Sequence, residues 1–196
     1  VANVAILENG ETWGVYTSRN TLVGALYGVT NSSAGTLSGS GRDFNIPSGS
    51  VSAGTYTGTY TPKKTINVAF SSGGTFSGTY DSAYDQPASA ATLAGAYSGW
   101  GVSGNAPVQS ANVTISSYGA ITVPASNGCS ASGTATPRAS GKNVFDVTVT
   151  FTGTNCALGN GTVTRGVAYY DTGSREVLVM AMNPAKSDGF IYVGAK

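Results

Sequence analysis

The 196-residue chain contains no histidine, the side chain that most often serves as a general base and as a metal ligand at neutral pH. Its two cysteines are too few for a structural zinc site built from cysteine and histidine. The many serines include no GxSxG nucleophile elbow and have no recognisable base partner. We therefore interpret the chain as non-enzymatic, and we expect no catalytic residue, no cofactor and no metal site.

Charge is also scarce, because charged residues make up 10% of the chain and the net charge is +1. Such a chain has no electrostatic field that would attract nucleic acid, so we expect no nucleic-acid partner. No apolar run approaches the ~18 residues of a membrane-spanning helix, so we expect no membrane span. The chain begins at Val1 without a signal peptide, and we expect a mature or trimmed product of an export pathway.

The two cysteines that are present, Cys129 and Cys156, are 27 positions apart and do not form a CxxC redox pair. Cys129 begins one predicted strand, and Cys156 lies just past the end of the next one. If residues 137–142 join these strands as a hairpin, both cysteines lie at the same end. We predict a disulfide, which indicates an oxidising compartment; the alternative is two buried free thiols.

Short strand-like runs separated by turn residues cover the chain and predict an all-β fold. Asn9-Gly10 between two such runs is a strong hairpin signal, because both residues tolerate positive φ. The clearest alternation is in residues 144–152, where one parity is apolar and predicts the core face: Phe145, Val147, Val149 and Phe151.

The second half of the chain repeats the first at an offset near 109 to 112 residues. Residues 2–6 match residues 111–115, Gly10 matches Gly119, and Gly24 matches Gly133. A shared order and spacing indicate a tandem duplication. We predict two related antiparallel β-barrel or β-sandwich units, residues 1–81 and 92–196, joined by a linker at residues 82–91 that contains Pro87.

The duplication is unequal, because the second half opens with a strand at residues 92–102 and the first half has no counterpart. The first unit is therefore predicted to lack its first strand, which leaves an open sheet edge. Three explanations stay open: a trimmed N-terminal region, a strand supplied by another chain, and the lack of any real gap.

Several side-chain groups are candidates for binding. Aromatic residues are the first, and we name four as candidate contacts of a glycan or host protein: Trp13, Tyr16, Trp100 and Tyr169. The alternative is that most aromatic residues here are ordinary strand residues that pack on one side and leave the hydroxyl group in water. Glu8 and Glu11 beside Trp13 resemble a glycosidase pair, but their place around a tight turn favours solvated carboxylates. Three aspartates (Asp81, Asp85 and Asp188) offer too few ligands for calcium.

The motifs in residues 128–171 resemble those of a family of uncharacterised exported proteins and lipoproteins of Gram-negative bacteria. These motifs are Cys-Ser-x-x-Gly-Thr at residues 129–134, PRxSGKNVF at residues 137–145 and a second cysteine, Cys156; LENGExWGVY at residues 7–16 is similar too. The resemblance implies an all-β fold and an envelope or surface location. It brings no catalytic residues.

Together these features favour a non-enzymatic envelope or surface protein with a structural role. Its sharpest form is a self-assembling fibre subunit that is completed by a strand from a neighbouring copy. The alternative is a secreted or surface binding module for a glycan or a host protein, and a carboxylate hydrolase is a third hypothesis. The expected location is extracellular or on the outer membrane of a Gram-negative bacterium, with the periplasm as the other compartment.

Overall fold

The computed structural model describes residues 2–19 and 21–196, and the protein is all-β, as predicted. The described residues form fifteen strands, a single 3-10 turn (Ser82–Asp85) and the four-residue helix α1 (Ala90–Leu93). The chain divides into two compact units, Val1–Ser82 and Ala83–Lys196. Within the described ranges, no helix has the length and apolar character needed to cross a membrane.

The first unit is an open, seven-stranded antiparallel sheet in which each strand pairs with its neighbours in sequence. Its strands are β1 (Ala2–Ile6), β2 (Glu11–Ser18), β3 (Thr21–Ser33), β4 (Thr36–Asn45), β5 (Ser50–Thr61), β6 (Thr65–Phe70) and β7 (Thr75–Thr79).

Glycines make room for tyrosine rings on the inner face of this sheet. A Cβ atom at Gly24 would lie 2.1 Å from the ring of Tyr16, and one at Gly39 would lie 2.4 Å from the ring of Tyr56. Because no side chain fits in those spaces, glycine is required under both rings. The glycines that break up the strand pattern in the sequence therefore have a packing role here.

The second unit is a closed barrel of eight strands, in which β8 lies between β15 and β9. Its strands are β8 (Gly95–Ser103), β9 (Gln109–Ile115), β10 (Ala120–Ser126), β11 (Cys129–Pro137), β12 (Phe145–Thr152), β13 (Val163–Asp171), β14 (Glu176–Met182) and β15 (Gly189–Ala195). Closure pairs both sides of every strand, so the barrel has no free edge.

The alternation in β12 correctly predicts the barrel core. Four residues of one parity are buried and pack in the same apolar cluster: Phe145, Val147, Val149 and Phe151. Burying side chains of this size contributes about 1.5–3 kcal/mol each to folding. This strand is therefore a central element of the second unit.

The predicted disulfide is present, and Cys129 is bonded to Cys156 with a Cα–Cα distance of 4.9 Å. Cys129 begins β11, and Cys156 lies in the loop after β12. The two strands are antiparallel neighbours in which Ser130 faces Thr152. The hairpin therefore brings both cysteines to the same end of the barrel, for the geometric reason given by the sequence.

Residues 83–91, which fall in the predicted linker, are part of the second unit. The amide N–H of Asn143 donates to the backbone oxygen of Tyr84, and Lys142 Nζ lies 2.5 Å from Asp85 Oδ1. Leu93, at the end of α1, is fully buried in the barrel core. A Pro/Ala/Ser-rich composition resembles that of a linker, but here this segment packs on the unit that follows it.

The last residue of the chain contacts the same end of the second unit as α1. Lys196 Nζ donates to the backbone oxygens of Thr92 and Ala94, each at 2.7 Å. The same ammonium group lies 5.3 Å from the ring centroid of Tyr97 and 4.7 Å from that of Tyr170. These cation–π contacts and hydrogen bonds hold the end of β15 beside the start of β8.

The two units share one plan, and their first hairpins have the same backbone geometry. Gly10 and Gly119 occupy equivalent turns with φ of +84° and +82°. Gly10 accepts a backbone hydrogen bond from Thr30, and Gly119 accepts one from Ala135. A Cβ atom at either glycine would lie 2.4 Å or less from the backbone oxygen of that partner, so both turns require glycine.

The strand register corrects one match made from the sequence. Gly28 pairs with Thr12, and Gly133 pairs with Ile121. Thr12 lies two residues after Gly10, and Ile121 lies two residues after Gly119. The structural counterpart of Gly133 is therefore Gly28, and the match with Gly24 is wrong. The β2–β3 hairpin is longer than the β10–β11 hairpin, which moves the equivalent glycine along the strand.

Candidate functional site

The main difference between the two units is the position that β8 occupies in the barrel. The strands equivalent to β9 and β15 in the first unit are β1 and β7, and each of these has one neighbouring strand among the described residues. We call the two outer edges of β1 and β7, taken together, the strand slot. The prediction that the first unit lacks one strand corresponds to this slot.

The hydrogen-bond pattern shows which backbone groups face the slot. Leu7 donates to Glu11 across the first hairpin, and Tyr80 donates to Lys64 beside the last one. In an antiparallel ladder, residues alternate between bonding to the neighbour and pointing away from it. The backbone groups that point away from the sheet therefore belong to Val4 and Ile6 on β1 and to Thr75, Ser77 and Thr79 on β7.

Side chains beside the slot are more exposed than their counterparts in the barrel. Following the register, Val4, Ile6 and Phe76 in the first unit are equivalent to Val113, Ile115 and Tyr192 in the second. The barrel residues are 7%, 3% and 4% exposed, because β8 lies against the strands that carry them. The three counterparts in the first unit are only partly buried.

Neither edge carries the features that usually discourage strand pairing. Natural sheet edges are commonly protected by charged side chains, proline or bulges. The sequences of β1 (ANVAI) and β7 (TFSGT) contain no charged residue and no proline. Their pairing with β2 and β6 is also regular, without a bulge. The strand slot is therefore suited to accept another strand.

The inner face of the first unit carries polar side chains that are hydrogen-bonded to one another. Tyr16 donates to Asp43 over 2.6 Å, and the hydroxyl groups of Thr30 and Tyr56 are 2.7 Å apart. Burial, together with the hydrogen bond to Asp43, raises the pKa of Tyr16 well above its ordinary value. The phenol is therefore neutral at physiological pH and acts as a hydrogen-bond donor.

The four aromatic residues proposed as ligand contacts do not form one surface. Trp13 is 2% exposed and packs edge-on against Tyr27, so it is not available as an exposed contact. Tyr16 is on the opposite face of β2 and bonds to Asp43. Trp100 is 60% exposed on the outer face of β8. Tyr169 is partly buried on β13, which is separated from β8 by β14 and β15.

One exposed aromatic residue escaped the sequence prediction. Tyr118 is 91% exposed in the turn between β9 and β10. It stands next to Gly119 in a hairpin turn, where side chains commonly point into solvent. That turn context was the signal available in the sequence, because alternation says nothing about a residue outside a strand.

The acidic residues singled out from the sequence have hydrogen-bond or ion-pair partners. Glu11 accepts hydrogen bonds from the hydroxyl group of Tyr27 at 3.2 Å and from the amide of Asn9 at 3.4 Å. Asp85 pairs with Lys142. Within residues 2–19 and 21–196, no group of three or more histidine, cysteine, aspartate or glutamate side chains is placed to hold a metal ion.

The fold and the slot together define a class of protein. It is a tandem all-β protein in which a disulfide-linked, closed eight-stranded barrel follows an open seven-stranded sheet of the same plan. No family model matches the chain, and no curated protein or solved structure is significantly similar to it.

Proposed function

We propose that this chain is a non-enzymatic, exported structural protein of the Gram-negative envelope or cell surface, and that a strand from a neighbouring chain completes its first unit. The observation that carries the proposal is the partial exposure of Val4, Ile6 and Phe76, whose barrel counterparts are buried beside β8. A strand in the slot would bury these side chains and pair the backbone groups that face it.

Three further features support export. The disulfide between Cys129 and Cys156 is of a kind that persists in oxidising compartments. A surface covered by uncharged polar residues, in a chain that is 10% charged, is common in secreted and cell-surface β-proteins. The resemblance of residues 129–145 to exported proteins and lipoproteins points the same way.

Hydrogen exchange on material isolated from the producing bacterium tests this proposal. We expect the amides of Val4, Ile6 and Ser77 to be protected in the native material and to exchange rapidly in the isolated 196-residue chain, because only a paired edge shields them. Electron microscopy of the same material tests the fibre form. Native material that is monomeric, with rapid exchange at all three amides, contradicts the proposal.

A second candidate function is a binding module for a glycan or host protein, and the exposure of Trp100 favours it. An exposed indole offers a flat apolar surface on which a sugar ring stacks. In a glycan array, we expect the Trp100→Ser variant to lose binding that Tyr118→Ser retains, because Tyr118 is in a separate turn. Equal binding by both variants and the parent chain excludes Trp100 as the contact.

A further inference from the structure

We propose that the strand slot accepts an extended, uncharged segment of another protein with the residue pattern of β8. That pattern has five inward-facing positions, with an aromatic residue at the second, serine at the last and glycine at the other three: Gly95, Tyr97, Gly99, Gly101 and Ser103. The inference rests on the proposed function, and it adds the sequence class, the direction and the register of the incoming strand.

The repeat fixes the direction of that strand. Each of the six pairings from β1 to β7 is antiparallel, so β1 and β7 run in the same direction. The sheet therefore cannot close on itself with an antiparallel pair. One strand that runs opposite to both edges completes an antiparallel ladder, as β8 does between β9 and β15.

The register follows from the same equivalence. Tyr97 faces Val113 on β9, and Val113 is the counterpart of Val4. The aromatic residue of the incoming strand is therefore expected to face Val4 on the inner side of the sheet. In the barrel, Tyr97 is 1% exposed, so this position takes a large side chain that covers the exposed inner face.

The space around two glycines of β8 predicts which residues the incoming strand can carry at those positions. A Cβ atom at Gly99 would lie 2.0 Å from the backbone oxygen of Val193, which no side chain tolerates. A Cβ atom at Gly101 would have its nearest neighbour at 3.5 Å, which is ordinary van der Waals contact. The glycine that faces Gly99 on β15 is Gly194, and its counterpart on β7 is Gly78, so the same close approach is expected in the slot.

The described residues of a second copy contain no free strand to donate. All fifteen strands already lie in the two sheets. A copy could supply β8 only by opening its own barrel along both β9 and β15. A segment of another protein requires no such opening. The absence of charge on β1 and β7 matches an uncharged segment.

Binding of a synthetic peptide with the sequence of residues 95–103 (GAYSGWGVS) to the full chain tests the pattern. Fluorescence polarisation of the labelled peptide gives its affinity. We expect the peptide variant G99A to bind about tenfold or more weakly, which corresponds to ~1.4 kcal/mol, and the matched variant G101A to bind within about threefold of the parent peptide. We also expect loss of binding for the peptide variant Tyr97→Ser and little change for Trp100→Ser, which alters an outward position.

Disulfide trapping tests the register separately from affinity. In the barrel, Ser98 faces Asn112, the counterpart of Asn3 on β1. A peptide carrying Ser98→Cys should cross-link to the Asn3→Cys chain and not to the Ala5→Cys chain, which is two positions out of register. Both native cysteines are already bonded to each other, so they do not compete for the peptide thiol.

The outcomes separate this inference from the proposed function. Saturable binding with the G99A and G101A difference and in-register cross-linking supports it. If the peptide does not bind while the Val4 amide is protected in native assemblies, the β8 pattern is wrong and the proposed function stands. If the chain self-associates and this protects the Val4 amide, a second copy is the donor. If the native protein is a monomer of higher mass with the Val4 amide protected, the strand belongs to a covalently attached segment. Either result overturns the inference.

Discussion

Removal of the disulfide is predicted to destabilise the second unit by about 3.5 kcal/mol. The bond between Cys129 and Cys156 closes a loop with a sequence separation of 27. In the chain-entropy model, closing a loop of this length lowers the entropy of the unfolded chain by about 12 cal/mol/K, which corresponds to about 3.5 kcal/mol at 25 °C. In hydrogen exchange, this loss of stability should reduce protection by roughly a few hundredfold at amides that exchange only when the barrel unfolds.

The assay is urea unfolding and hydrogen exchange of β11 and β12 in three samples: the oxidised chain, the reduced chain and the Cys129→Ala/Cys156→Ala variant. Comparing the reduced chain with the variant separates the lost cross-link from the lost packing of the buried Cys156 sulfur. The variant should not respond to reductant. A difference below about 1 kcal/mol between oxidised and reduced chains would refute the loop argument, because it is far below the expected entropy term.

Three further predictions concern stability. Gly119→Ala should lower the free energy of unfolding by about 3 kcal/mol, because the added Cβ meets a backbone oxygen at 2.1 Å. Gly141→Ala, which has no atom within 4 Å, should lower it by only about 1 kcal/mol, because its φ is positive. Urea unfolding midpoints compare the two variants. Burial raises the pKa of Tyr192 to about 12, so the stability that its neutral phenol contributes is complete below pH 10 and falls between pH 10 and 12. The urea midpoint of the Tyr192→Phe variant should therefore fall less steeply from pH 9 to 11 than that of the parent chain. Equal slopes for the variant and the parent chain would contradict this. Asn143→Ala removes a buried donor to a backbone oxygen and should lower the free energy of unfolding by about 1–3 kcal/mol, measured by thermal or urea unfolding. Asn155→Ala, at an exposed position, is the control. Similar losses in the two variants would count against the buried hydrogen bond.

Sequence reasoning succeeded where one physical requirement dominates a residue. Alternation in residues 145–151 predicted the buried side of β12, because a strand with one buried face needs a period of two. The turn at Asn9-Gly10 followed from the need for positive φ. The disulfide followed from two cysteines at one end of a predicted hairpin.

Sequence reasoning failed where the local residues are compatible with more than one structural interpretation. β3 contains two glycines, Gly24 and Gly28, and only the pairing register decides which of them matches Gly133. Trp13 was expected to be exposed, but β2 is buried on both faces, which alternation alone does not reveal. Residues 83–91 resemble a linker because their contacts to Lys142 and Asn143 are distant in sequence.

The contacts of Lys196 have a consequence for how the chain can be rearranged. Because its side chain bonds to Thr92 and Ala94, the C-terminus lies next to the point where the barrel begins. A peptide linker joining residues 196 and 83 would keep the segment that packs before Thr92. New termini in the exposed turn near Gly141, where the backbone has open space, would leave all eight strands in place. The second unit is therefore a natural candidate for circular permutation.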